Sequence, residues 1–172
     1  MKYFNGFSLE NEETLFHSYT IESDYAVVGF SFGAQKAFEY VLASNHHIER
    51  LILLSPAFFQ TQKPSFIRTQ LRYFEAGKEA YVKQFLENVA FPSTTHLEKY
   101  LQVGTKEELE ALLSYIWNEE KIKEVINRGI TIEVFIGDKD KIIDSHHALS
   151  FFKQNCITYT IKNSGHLLEQ SL

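Results

Sequence analysis

The stretch Asp24-Tyr25-Ala26-Val27-Val28-Gly29-Phe30-Ser31-Phe32-Gly33-Ala34-Gln35-Lys36-Ala37-Phe38-Glu39-Tyr40-Val41-Leu42-Ala43-Ser44 sets a serine between a strand and a helix. Tyr25 to Val28 is an apolar, β-favouring run that stops at Gly29. After Gly33, the apolar residues Ala37, Phe38, Val41 and Leu42 recur at helical spacing. Ser31 is therefore the centre of a Gly-x-Ser-x-Gly pattern in the strand–turn–helix context that gives this pattern chemical meaning. So tight a turn admits only small residues two positions before and after the serine, and it lifts the hydroxyl clear of the sheet. The helix N-terminus that follows favours developing negative charge. The plainer alternative is a strand-to-helix turn that merely contains glycines and a serine.

A serine hydroxyl is a weak nucleophile unless a base takes its proton and a third group orients that base. Where a serine sits on such a turn, the partners follow in the order Ser, Asp or Glu, His. The chain has that order. The β-favouring run Thr131 to Ile136 is followed by Gly137-Asp138-Lys139-Asp140-Lys141-Ile142-Ile143-Asp144, and Ile157 to Ile161 by Asn163-Ser164-Gly165-His166. Loops after parallel strands open on one edge of the sheet, so Ser31, an acid and His166 can converge there. Asp144 reads as a helix N-cap. Of the other two acids Asp140 is favoured, with Asp138 as a residue that stabilises the loop. His46, His47, His146 and His147 read as solvated pairs, and His17 and His96 have no motif around them. No His-Glu-x-x-His occurs and there is one cysteine, so the sequence calls for no metal and no cofactor. The oxyanion of a tetrahedral intermediate needs two donors. These are assigned to the backbone N–H groups of Phe32 and of Phe7, the latter in the loop Asn5-Gly6-Phe7 after a short first strand, Lys2 to Phe4. An ordinary turn remains the alternative for Asn5-Gly6.

With Leu51 to Leu54, which runs into Ser55-Pro56, these runs make five strands, mostly continuous and apolar, as expected of strands covered on both faces. Helices are expected over 34–44, 119–128 (closed by Gly129) and 145–154 (capped by Asp144). Alternating strands and helices give an α/β fold with a mainly parallel sheet of five or six strands. Residues 58–117 break the rhythm with helical patterns alone. Ser65 caps one that ends at Gly77, a second covers Lys78 to Val89, and a third covers Thr95 to Gln102. The capping box Thr105-x-x-Glu108 opens a fourth. Residues 1–57 and 118–172 then form the core, and 58–117 a helical cap inserted between the third and fourth strands.

At 172 residues and 44% apolar content, the chain suits one domain with a proper core, and 23% charged residues mark a globular composition. No apolar run approaches the ~20 residues that span a bilayer, and Met1 to Gly6 has no signal-peptide character. The lone Cys156 reads as a small buried residue in a strand, in keeping with a cytoplasmic location. The net charge of −5 argues against nucleic acid as a partner. Between positions 63 and 83, however, Lys63, Arg68, Arg72, Lys78 and Lys83 face only Glu75 and Glu79. A solvated helix face explains this cluster most simply, and reception of an acidic partner is the functional alternative.

With Gly29 to Gly33, Leu51 to Pro56, Gly137 to Ile143 and Ser164 to His166, the chain resembles the α/β-hydrolase superfamily. There the acid commonly sits three positions after the loop glycine, which selects Asp140. Asn5-Gly6-Phe7 is similar to the superfamily's His-Gly-aromatic oxyanion loop, with Asn in place of His. Members normally begin with two further strands. The resemblance thus implies a minimised hydrolase lacking the first two strands, and the 18 residues from Phe7 to Asp24 leave the usual edge strand and one helix missing or vestigial. Only six residues remain after His166 for the closing helix.

Brevity and cap together resemble the short BioV-type esterases of biotin synthesis, which hydrolyse the methyl ester of pimelyl-acyl carrier protein. This resemblance implies a serine carboxylesterase whose partner is the acidic acyl carrier protein, received by Lys63, Arg68, Arg72 and Lys78. Phe66, Tyr73 and Phe74 could line an acyl channel, although aromatics at this spacing also suit a plain core. A thioesterase or small-ester hydrolase of the same fold is the alternative within the enzyme class. A non-catalytic relative that binds a small ligand is the alternative outside it.

Overall fold

A computed structural model of the protein describes residues 1–170. Five strands form one sheet: β1 (Lys2–Phe4), β2 (Ala26–Phe30), β3 (Arg50–Leu54), β4 (Thr131–Gly137) and β5 (Ile157–Ile161). All four pairings are parallel and the strands lie in chain order, with Phe4 opposite Gly29 and Phe30 opposite Leu54. Among the described residues no strand lies between β1 and β2. A 3-10 turn at Glu12–Phe16 lies in the gap, so the superfamily's usual edge strand is missing from this link, as expected.

Right-handed crossovers between neighbouring parallel strands place their helices on one face of the sheet. Helix α1 (Phe32–Ala43) follows β2, and α6 (Ser145–Phe152) joins β4 to β5. Phe38 of α1 and Phe152 of α6 both pack on the buried Trp117, with ring centroids 5.3 and 5.0 Å away. The opposite face is covered in part by the link after β1, where Phe16 meets Phe30 at 4.7 Å and Tyr19 meets Phe135 at 5.2 Å. Cover on both faces holds for β2 and, apart from half-buried Arg50, for β3. It fails at the edges: β5 has no fully buried residue, and Ile157 and Tyr159 are exposed. Cys156 lies just before β5 and not within it, and burial pushes its thiol up to about 12.

Between β3 and β4 lie α2 (Pro64–Ala76), α3 (Lys78–Ala90), α4 (Lys106–Ser114) and α5 (Glu119–Asn127). The capping box at Thr105 and Glu108 is formed, and Gly129 takes a left-handed φ of 83° after α5. Two expectations need correction. Ser65 does not cap α2. Lys63 occupies the cap position without a side-chain bond, because Pro64, with φ already fixed at a helical value, opens the helix two residues earlier. Nor do residues 95–102 form a helix, since only Glu98–Tyr100 makes a 3-10 turn. The backbone there pairs instead with the link after β1: Glu10 N–H donates to the Tyr100 carbonyl at 2.8 Å and Gln102 N–H to that of Ser8 at 3.0 Å. No helix among the described residues is long and apolar enough to cross a membrane.

Candidate active site

Ser31 stands at the junction of β2 and α1 with φ 56° and ψ −115°, a conformation that L-residues hold only when their surroundings impose it. The surroundings are backbone. A Cβ on Gly29 would run into the Gly33 carbonyl, and one on Gly33 into the carbonyls of Phe4 and Asn5. Glycine at both places lets the turn close and lets the loop after β1 lie against the start of α1. Ser31 N–H donates to the Leu54 carbonyl at 2.9 Å and Ala57 N–H to the Ser31 carbonyl at 3.2 Å, tying the turn to the end of β3.

His166 arrives on the loop after β5. Its Nε2 lies 2.8 Å from Ser31 Oγ and its Nδ1 2.6 Å from Asp140 Oδ2. A carboxylate oxygen can only accept, so Nδ1 carries the hydrogen and Nε2 is left to accept from the serine. The other Asp140 oxygen accepts from the N–H groups of Ile142, at 2.7 Å, and Ile143, at 3.1 Å. Every element of this chain is enclosed: Ser31 is 1% exposed, His166 is fully buried and the side chain of Asp140 has no exposure. Asp138 lies exposed in the same loop, and Asp144 caps α6 through the N–H of His147 at 3.0 Å.

Phe32 begins α1, and its N–H is among those left without an intrahelical partner at the helix N-terminus. Phe7 lies on the loop that Gly33 accommodates. Among the described residues its N–H has no protein acceptor. Both residues line a cavity of about 590 Å³ with Asn5, Gly6, Lys36 and Glu108. A larger cavity, about 640 Å³, is walled by Phe59, Phe66, Tyr73, Phe85, Lys141 and Ile142. Phe66 and Tyr73 thus line a chamber, whereas Phe74 is core, packed on Phe7 and Tyr81. Lys63, Arg68, Arg72 and Lys78 stand exposed on and beside α2, away from the buried triad, and none forms an ion pair among the described residues. The described residues contain no group of three His, Cys, Asp or Glu that could hold a metal ion.

Two further residues shape the site without a local signature. Buried Ser55 donates its hydroxyl to the His166 carbonyl at 2.6 Å, and buried Glu12 accepts from the Gly6 N–H at 2.7 Å. The only hint of Ser55 is that β3 runs straight into Ser55-Pro56. Nothing in the spacing around Glu12 marks it.

A parallel sheet with a serine on the strand–helix turn, an acid after the next-to-last strand and a histidine after the last is the α/β-hydrolase fold. Solved structures agree. The naproxen esterase (carboxylesterase NP) of Bacillus subtilis matches with a TM-score of 0.55 and 18% identity over 83% of this chain and 53% of its own. MenH from S. aureus matches with a TM-score of 0.62 and 16% identity over 95% of this chain and 85% of its own. BioG from Haemophilus influenzae matches with a TM-score of 0.59 and 11% identity, over 96% and 87%. The chain therefore spans about half the length of the naproxen esterase and most of that of MenH and BioG. No family model matches the chain, and no curated protein matches it.

Proposed function

We propose that the protein is a serine carboxylesterase and that its substrate is the methyl ester of pimelyl-acyl carrier protein. The observation that carries the esterase reading is the enclosed chain from Ser31 Oγ through His166 to Asp140, at 2.8 and 2.6 Å. Ser31 Oγ attacks the ester carbonyl while its proton passes to His166 Nε2. Asp140 keeps the ring in the tautomer that can receive it. The oxyanion that forms is met by the N–H groups of Phe32 and Phe7. Collapse of this intermediate breaks the bond to methoxide, which takes the proton from His166 and leaves as methanol. Water then gives a proton to His166 and attacks the acyl-enzyme. The second intermediate returns that proton to Ser31 Oγ and releases the pimelyl-carrier protein carboxylate.

The substrate reading rests on different features. The 640 Å³ chamber is largely aromatic and aliphatic and has room for an acyl chain. Four exposed cations lie on and beside α2, one wall of that chamber, in a chain of net charge −5. An acidic carrier protein would be drawn to that wall. Labelling with a fluorophosphonate tests the chemistry. The native protein should gain one phosphonyl group on Ser31, and Ser31→Ala and His166→Ala should each lose roughly 10³-fold or more in turnover of p-nitrophenyl butyrate. Native protein that stays unmodified, or either variant turning over near the wild-type rate, would remove the esterase reading.

A further inference from the structure

We infer that Glu12 is a positioning residue for the oxyanion loop: its carboxyl holds the backbone at Gly6 so that the Phe7 N–H faces the site of reaction. This inference rests on the esterase reading above. Glu12 begins the 3-10 turn Glu12–Phe16 and has no exposed surface. One oxygen, Oε1, gathers the loop and the strand before it, accepting from the Gly6 N–H at 2.7 Å and from the Tyr3 hydroxyl at 3.2 Å. The other, Oε2, is buried with no partner among the described residues.

The loop has several supports. Gly33 backs the carbonyls of Phe4 and Asn5, and the Phe30 ring presses on Gly6, where a Cβ would stand 2.8 Å from the ring. Both are contacts that stop the loop from moving inward. The Leu9 N–H donates to the Gly6 carbonyl at 3.3 Å and so holds the far side of the peptide between Gly6 and Phe7, and an oxyanion donor is useful only within narrow limits of direction. The bond from the Gly6 N–H to Glu12 fixes the peptide plane just before Gly6, leaving less freedom for the next one.

A buried acid with an unpartnered oxygen is unfavourable, but an apolar residue at position 12 would leave the buried Gly6 N–H and the Tyr3 hydroxyl without this acceptor. Burial also holds the Glu12 carboxyl above the ordinary carboxylate range, with the Gly6 and Tyr3 hydrogen bonds acting in the opposite sense. What Glu12 supplies, and an apolar residue would not, is a hydrogen-bond acceptor 2.7 Å from the Gly6 amide.

The test compares Glu12→Gln, which keeps an acceptor at the same reach, with Glu12→Asp, which withdraws it by one methylene, and Glu12→Ala, which removes it. Hydrolysis of p-nitrophenyl butyrate gives kcat and KM, and circular dichroism confirms folding. Glu12→Gln should stay within about threefold of wild-type kcat, whereas Glu12→Asp and Glu12→Ala should lose roughly 10- to 100-fold in kcat with KM within about twofold. If Glu12→Ala does not fold, Glu12→Asp carries the comparison. Wild-type kcat in Glu12→Asp, or an equal loss in Glu12→Gln, overturns the inference alone. A wild-type protein that neither hydrolyses the ester nor takes the fluorophosphonate overturns the esterase reading, and the inference falls with it.

Discussion

Ser55 has a φ of 41°, and in that left-handed conformation its hydroxyl reaches the carbonyl of His166 across 111 positions of sequence. Its own N–H donates to the Phe135 carbonyl at 2.8 Å, so one residue links the ends of β3 and β4 to the histidine loop. The bond is buried at both ends, and removing the donor leaves a carbonyl that water cannot reach. Such a loss costs about 1–3 kcal/mol. Ser55→Ala should therefore lower the thermal midpoint by about 2–12 °C, taking roughly 2–4 °C per kcal/mol for a chain of this size. It should lower kcat as well, since the ring of His166 is aimed by the backbone that carries it. A calorimetric scan giving an unchanged midpoint would show that the hydroxyl does not hold this loop.

Helix α2 is where the elements meet the proposed partner. Arg68 and Arg72 are four residues apart on it, so they share a face, and Lys63 and Lys78 lie just beyond its two ends. Exposed charge of this kind alters the rate of encounter more than the strength of a formed complex, and salt screens it. Arg68→Ala combined with Arg72→Ala should reduce kcat/KM for the carrier-protein methyl ester by roughly tenfold at low salt and leave p-nitrophenyl butyrate within about twofold. Equal losses on both substrates would remove the docking role of α2. The same scale shows what a sequence discloses. The strand–turn–helix around Ser31, the Thr105 capping box and the Asp144 cap were legible because each depends on residues within a few positions of one another. The segment 95–102 was misread because its backbone partners, Ser8 and Glu10, lie some ninety positions away. Glu12 and Ser55 escaped for the same reason: their hydrogen bonds are set by how the chain folds back, and no local spacing announces them. Lys63, Arg68, Arg72 and Lys78 could be read as a charge cluster, but nothing in their spacing says what they face.

In the whole molecule, a firmly packed sheet supports a less firmly packed set of helices. Every residue of β2 is buried, whereas α2 buries only Phe74. Among the described residues, the polar ties between these helices and the core fall outside α2 and α3. Gln35 Nε2 on α1 donates to the carbonyls of Ala57 and Leu112, both at 3.1 Å. The Lys141 ammonium lies 3.4 Å from the centre of the Phe91 ring, and Thr95 donates to Glu169 at 2.5 Å. Local opening is easiest where few apolar contacts must be broken. In hydrogen exchange followed by mass spectrometry, amides of residues 64–90 should exchange at least about tenfold faster than those of 26–30 and 50–54. Attachment of a phosphonyl group with a long acyl tail to Ser31 should slow exchange in 64–90. Equal protection in helices and sheet would mean that the molecule does not open in parts.

Ser31 is 1% exposed, so any ester that reaches it must displace part of what covers it. On the proposed reading, methanol that has not yet left sits beside the acyl-enzyme that produced it and competes with incoming water for the same carbonyl. How quickly the alcohol escapes therefore divides each acyl-enzyme between completion and reversal. Free exchange of alcohol at Ser31 would carry labelled methanol from solution back into unreacted ester during turnover, and an enclosed site would suppress that exchange.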